Sequence, residues 1–183
     1  ATLAFSAIQN NDKIGVIFFS DRIEQYIAPK KGRKHILYII REMLDFKPES
    51  KKTDLNAAIE FLTRVVKHPC TAFVLSDFYV RSDFQQVLQI ANRKHDVIAL
   101  QVYDPRAKEL PDVGLMNVTD AETGHEMLID TSSKKLRTAY KANWLERQHT
   151  LQTIFTKSNV DNISIATNED YVKKLMILFA QRS

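Results

Sequence analysis

Three short runs in this chain are apolar without alternation: Lys13-Ile-Gly-Val-Ile-Phe-Phe-Ser20, Thr71-Ala-Phe-Val-Leu75 and Asp96-Val-Ile-Ala-Leu-Gln-Val-Tyr103. A strand with one face in water alternates apolar and polar side chains. A strand that does not alternate is covered on both faces, as in a parallel sheet between layers of helices. Between the runs, apolar residues recur at helical spacing. Ile36, Ile39, Ile40, Met43 and Leu44 predict a helix over 35–46, stopped by Pro48. Leu55, Ala58, Ile59, Leu62, Val65 and Val66 predict a second over 54–66, with Thr53 as its cap. Phe84, Val87, Leu88 and Ala91 predict a third, capped by Ser82 or Asp83. Strands alternating with amphipathic helices give an α/β domain with a mostly parallel sheet. Arg22-Ile-Glu-Gln-Tyr-Ile27 runs toward Pro29 and reads as an edge strand, in a hairpin with 13–20.

The remainder keeps this rhythm with one departure. Residues 114–119 and 125–130 flank Asp120-Ala-Glu-Thr-Gly124 and predict a hairpin on the rim. Ser132 or Ser133 then caps a helix to about Lys157, with Leu136, Tyr140, Trp144, Leu151, Ile154 and Phe155 on its apolar side. A last strand over 162–167 precedes a helix over 170–181, with Tyr171, Leu175, Leu178 and Phe179 inward. At 183 residues and 44% hydrophobic content, the chain is expected to form one domain over 1–183. It starts without Met at Ala1-Thr-Leu-Ala-Phe-Ser-Ala-Ile8, which reads like the back half of a helix and leads us to expect a piece of a longer protein.

Several function classes drop out. One cysteine, Cys70, excludes an internal disulfide framework and a Cys-rich metal site, and its apolar setting favours packing over reactivity. No run approaches about 18 apolar residues, so no spanning helix is expected. Four glycines form neither a P-loop nor Gly-x-Gly-x-x-Gly, and there is no Gly-x-Ser-x-Gly or His-Glu-x-x-His. A net charge of +4, without interleaved aromatics or a nucleic-acid motif, argues against nucleic acid as a partner.

Two constellations carry chemistry. Asp77 ends a buried strand, and Thr53-Asp54 opens a helix. In an open parallel sheet, ligands collect at the carboxyl ends of strands. Hydroxyl and carboxylate oxygens there suit Mg²⁺ or Mn²⁺, whereas the bland alternative is a turn and a cap. The second is the basic loop Lys30, Lys31, Arg33 and Lys34, a site for a phosphate, an acidic protein surface or anionic lipid, or simply a solvated loop. The helix over 134–157 adds Lys134, Lys135, Arg137, Lys141 and Arg147, a solvent-facing stripe over a buried one.

Asp12-Lys-Ile-Gly-Val-Ile-Phe-Phe-Ser-Asp21, Pro29-Lys-Lys-Gly-Arg-Lys-His35, Lys52-Thr-Asp-Leu-Asn-Ala-Ala-Ile59 and Val74-Leu-Ser-Asp-Phe78 occur in that order. This combination resembles the bacterial DUF58 family, whose conserved part resembles a von Willebrand factor A domain. The resemblance covers residues 1 to 104 well, and beyond them it is one of element order. It implies a Rossmann-like three-layer α/β sandwich, a mostly parallel sheet with an antiparallel edge strand. It also implies a metal-ion-dependent adhesion site for Mg²⁺ or Mn²⁺, in which Thr53 and Asp77 match metal-loop positions and Asp54 is the weaker candidate. The Asp-x-Ser-x-Ser loop of that site is missing from the sequence, so the ion site is expected to be incomplete here. Either the motif lies upstream, the reading we favour, or a natural short form lacks it. By resemblance the function is protein binding without catalysis, in a cytoplasmic domain of a membrane-anchored bacterial protein, alongside a MoxR-type AAA+ ATPase. The alternatives are a metal-assisted phosphoester hydrolase built on Asp77 and Asp54 with Lys30 to Lys34 stabilising charge, and a metal-independent assembly scaffold.

Overall fold

A computed structural model describes residues 2–80, 82–119 and 124–182. Their elements run α1 (Thr2–Gln9), β1 (Ile14–Phe19), β2 (Ile23–Lys30), α2 (Arg33–Asp45), α3 (Leu55–Val65), β3 (Thr71–Ser76), α4 (Gln85–Lys94), β4 (Asp96–Tyr103), β5 (Leu115–Thr119), β6 (Glu126–Asp130), α5 (Lys134–Lys157), β7 (Asp161–Ala166) and α6 (Tyr171–Ala180). The chain divides into two compact units, up to Leu62 and from Thr63.

In the first unit β1 and β2 form the expected antiparallel hairpin, from Ile14 opposite Lys30 to Phe19 opposite Ile23. β2 runs through Pro29, which an edge strand tolerates because no ladder bond needs its missing N–H. The register shifts between Ile14 and Val16, at Gly15. A Cβ there would lie 2.8 Å from the Ile27 carbonyl oxygen and 2.9 Å from the Pro29 ring, so only glycine lets the strands close. Ile36 and Ile39 of α2 and Leu55, Ala58 and Ile59 of α3 are buried. Phe18 stacks on Phe46 at 4.7 Å, and Tyr26 meets Phe61 edge-on at 5.6 Å. His35 donates its Nε2–H to the Ile14 carbonyl at 2.9 Å, fixing α2 to the start of β1.

The second unit is built on a parallel sheet in the order β3-β4-β7. β4 is central, and Val97 through Gln101 are buried, as its unbroken apolar run requires. Leu88 and Ala91 of α4, Leu151 and Phe155 of α5, and Leu175 and Leu178 of α6 complete the core. The class is the expected mixed α/β, with a parallel sheet β3-β4-β7 and separate antiparallel strand pairs. β5 and β6 pair antiparallel from Leu115–Asp130 to Thr119–Glu126. Of the expected turn at 120–124, residues 120–123 lie outside the described residues.

Both C-terminal helices are less covered than their periodicity predicts. α5 begins after Ser133, whose Oγ accepts the Leu136 N–H at 3.3 Å, but it buries only Leu151 and Phe155. Leu136 is exposed, and Trp144 is half-buried against Tyr103 at 5.8 Å. On α6, Tyr171 and Phe179 are exposed rather than inward, Phe179 touching Phe73 of β3 edge-on at 6.2 Å. Helical periodicity marks an apolar stripe; whether a neighbour covers that stripe is a property of the fold.

Candidate functional site

The connector from Glu49 to Asp54 is pinned to the turn after β1. Asp54 donates its backbone N–H to the Ser20 carbonyl at 2.9 Å, and Ser50 donates its N–H to Glu24 at 3.3 Å. Arg22 pairs with Glu49 at 3.3 Å. The Ser20 hydroxyl donates to Glu24 at 2.6 Å and holds that carboxyl below its ordinary value, helped by backbone donors at Glu49 and Ser50 and opposed by burial. The connector cannot swing away without losing these bonds, and that fixes Thr53.

Thr53 is not the cap of α3. The Asp54 carboxylate accepts the N–H groups of Asn56 at 2.9 Å and Ala57 at 3.3 Å, so Asp54 satisfies the helix's first donors. The Thr53 hydroxyl takes part in no hydrogen bond among the described residues. The two expected site residues in the first unit therefore differ: one oxygen is free, while one oxygen of the other is spent on a helix.

In the second unit Asp77 follows β3 and is exposed, with no cation paired to it among the described residues. Its Oδ1 accepts the Tyr79 N–H at 3.0 Å. Phe78 takes a left-handed backbone conformation, φ 56°, and drops its ring into the core against Phe155 at 5.2 Å and Phe84 at 6.0 Å. That buried ring turns the chain sharply and leaves Asp77 in solvent. Gln101, buried on β4, donates Nε2–H to the Asp77 carbonyl at 3.2 Å and accepts the Ser164 hydroxyl at 2.7 Å. Sequence reading missed Gln101; its only signal was one amide inside an otherwise apolar strand.

The donors fit a hard divalent ion in kind, since hydroxyl and carboxylate oxygens are what Mg²⁺ and Mn²⁺ take. They fall short in number: among the described residues no three His, Cys, Asp or Glu side chains come together as a metal cluster. Lys30 ends β2, and Lys31, Arg33 and Lys34 follow around Gly32, which sits at φ 98°. All four cations are exposed, and none has a carboxylate partner among the described residues. Cys70 is half-buried with Sγ 3.4 Å from His95 Nδ1. Burial pushes the thiol up and the imidazole down, so the pair is neutral and lacks the thiolate a nucleophile needs.

A family model described as "Protein of unknown function DUF58" matches residues 1–150. The chain belongs to the DUF58 family. An uncharacterized protein of Mycobacterium bovis is 27% identical over 187 residues, which cover 100% of this chain and 58% of that protein. An uncharacterized protein of Mycobacterium avium is 32% identical over 132 residues, 70% of this chain and 76% of its own. The chain thus spans little more than half the length of the first of these relatives. Two solved structures share its fold. A conserved hypothetical protein, BatB, from Bacteroides thetaiotaomicron has TM-score 0.55 at 16% identity, covering 98% of this chain and 84% of that one. An aerotolerance-related membrane protein from Bacteroides fragilis has TM-score 0.61 at 16% identity, covering 100% and 86%. The von Willebrand factor A-like fold expected from the sequence is the fold this DUF58 chain adopts. Among the described residues no helix is long and apolar enough to cross a membrane.

Proposed function

We propose that residues 1–183 are part of one von Willebrand factor A-like protein-binding domain, non-catalytic, that grips a carboxylate of its partner through Mg²⁺ or Mn²⁺. The observation that carries this reading is an oxygen at each of two loops: the Thr53 hydroxyl, without a hydrogen bond among the described residues, and the exposed Asp77 carboxylate, without a cation partner among them. Thr53 and Asp77 would hold the ion, and Asp54 would support it from the cap of α3. When bound, the ion supplies a positive centre with an open position for an incoming carboxylate.

The remaining ligands come from an Asp-x-Ser-x-Ser loop carried on a further strand of the longer protein. The free edge of β3 supports this. Among the described residues Thr71 to Ser76 pair with β4 alone, and they carry no charge and no proline, the usual protections of an unpaired edge. The relatives' greater length leaves room for such a strand. In this reading the domain lies on the cytoplasmic side of a membrane-anchored protein and acts with a MoxR-type AAA+ ATPase.

The test is binding of the extended protein to that ATPase by biolayer interferometry in Mg²⁺ and in EDTA. Binding that is lost in EDTA and in Asp77→Ala is the expected result. Binding indifferent to both would make the domain a metal-independent scaffold. Turnover of p-nitrophenyl phosphate in Mn²⁺, abolished by Asp77→Ala, would make it a hydrolase instead.

A further inference from the structure

We infer that the outward face of α2, with the basic loop before it, docks on an anionic lipid surface. At 100° per residue, Arg33, Lys34, Leu37, Tyr38, Arg41 and Leu44 fall on one continuous arc, opposite the buried Ile36 and Ile39. Leu44 is 80% exposed and Leu37 48%, in line two turns apart, with Tyr38 at 39% on the same arc. Two leucines in water on a helix that has already satisfied its own core are unexplained by folding.

Charge gives the second half of the argument. Lys30, Lys31, Arg33 and Lys34 border this apolar strip, and none has a carboxylate partner among the described residues. Among the other cations of this unit, Arg22 pairs with Glu49 and Arg41 lies 3.8 Å from Glu42 and over the Tyr38 ring, while the lysines outside the loop lie off the α2 helix. One acid lies on the arc and one beside it. Asp45 stands at its far end, and Glu42 lies to one side, where Gln25 donates to it at 3.0 Å. The first turn of α2 carries no acid. An acidic polypeptide would satisfy the cations and leave Leu37 and Leu44 in water. A bilayer rich in anionic headgroups takes both, cations at the phosphates and leucines at the acyl boundary, which is how interfacial amphipathic helices bind.

The inference does not depend on the divalent-ion reading and is tested in EDTA. The 183-residue chain is floated with vesicles of phosphatidylglycerol and phosphatidylcholine, and separately with phosphatidylcholine alone. Binding to the first only is expected, weakening as salt is raised. Neutralising Lys30, Lys31, Arg33 and Lys34 to Gln should lower partitioning by about fivefold per cation. Leu37→Ser with Leu44→Ser should abolish the part that survives high salt. Both positions are exposed, so circular dichroism should show the fold unchanged. Failure of the wild-type chain to float with anionic vesicles would overturn the inference. So would flotation indifferent to the four cations, or preferential binding of polyglutamate, which would reassign the surface to an acidic protein.

Discussion

At the junction of the connector and α3, two neighbouring oxygen-bearing side chains divide two tasks between them. Asp54 caps the helix; Thr53 is left free. Asp54→Ala should therefore destabilise the domain by about 1 kcal/mol, whereas Thr53→Ala should change it by less than about 0.5 kcal/mol. Urea unfolding of the two variants distinguishes them, and a larger loss from Thr53→Ala would restore the cap to Thr53. The sequence placed the helix start correctly to within one residue, yet one residue is the difference between cap and ligand. Thr and Asp both cap well, and local pattern does not choose between them.

Gly15 is a second single-residue determinant. Gly15→Ala should cost about 1–3 kcal/mol, since its Cβ meets backbone and a proline ring rather than a flexible side chain. His95 gives a pH dependence with a definite sign. Burial, with Lys94 adding to it, lowers its folded pKa below the ordinary value near 6.5, and its Nε2 is buried with no hydrogen-bond partner among the described residues. The unfolded chain then binds the proton more readily, so this group's contribution is intact above the unfolded value and falls as pH drops through it. The wild-type melting temperature should decline on acidification below about pH 6.5, and less steeply in His95→Gln.

At the scale of elements, the apolar runs were legible because a strand covered on both faces has nothing polar to show. β4 was read to the residue, Asp96 to Tyr103. The support under Asp77 was not, because Gln101 finds its partners 24 and 63 residues away in sequence, across the sheet. Gln101→Leu should leave the Asp77 carbonyl and the Ser164 hydroxyl without that partner and cost about 1–3 kcal/mol. Faster amide exchange at Phe78 and Tyr79 than in the wild type would report the loosened loop, and unchanged exchange would show that the amide does not hold it. The inward faces of α5 and α6 were over-read for a related reason. Periodicity identified Leu175 and Leu178 correctly, but Tyr171 and Phe179 of the same helix are not buried.

At the scale of the whole molecule, fold and family follow from patterns spread along the chain and were visible in it; among the described residues no three His, Cys, Asp or Glu side chains form a metal cluster. Thr53 and Asp77 are held by independent local devices, a pinned connector and a buried Phe78, and each presents an oxygen with no competing cation. In the proposed function both oxygens belong to one ion, with further ligands from an Asp-x-Ser-x-Ser loop. The most direct measurement is a Mn²⁺ calorimetric titration of the protein extended upstream through the proposed strand, beside its Asp77→Ala variant and the 183-residue chain. Saturable binding by the extended protein, lost in both others, is expected. Heats no larger than buffer for the extended wild type, or equal binding by Asp77→Ala, would contradict a divalent-ion adhesion site at these loops.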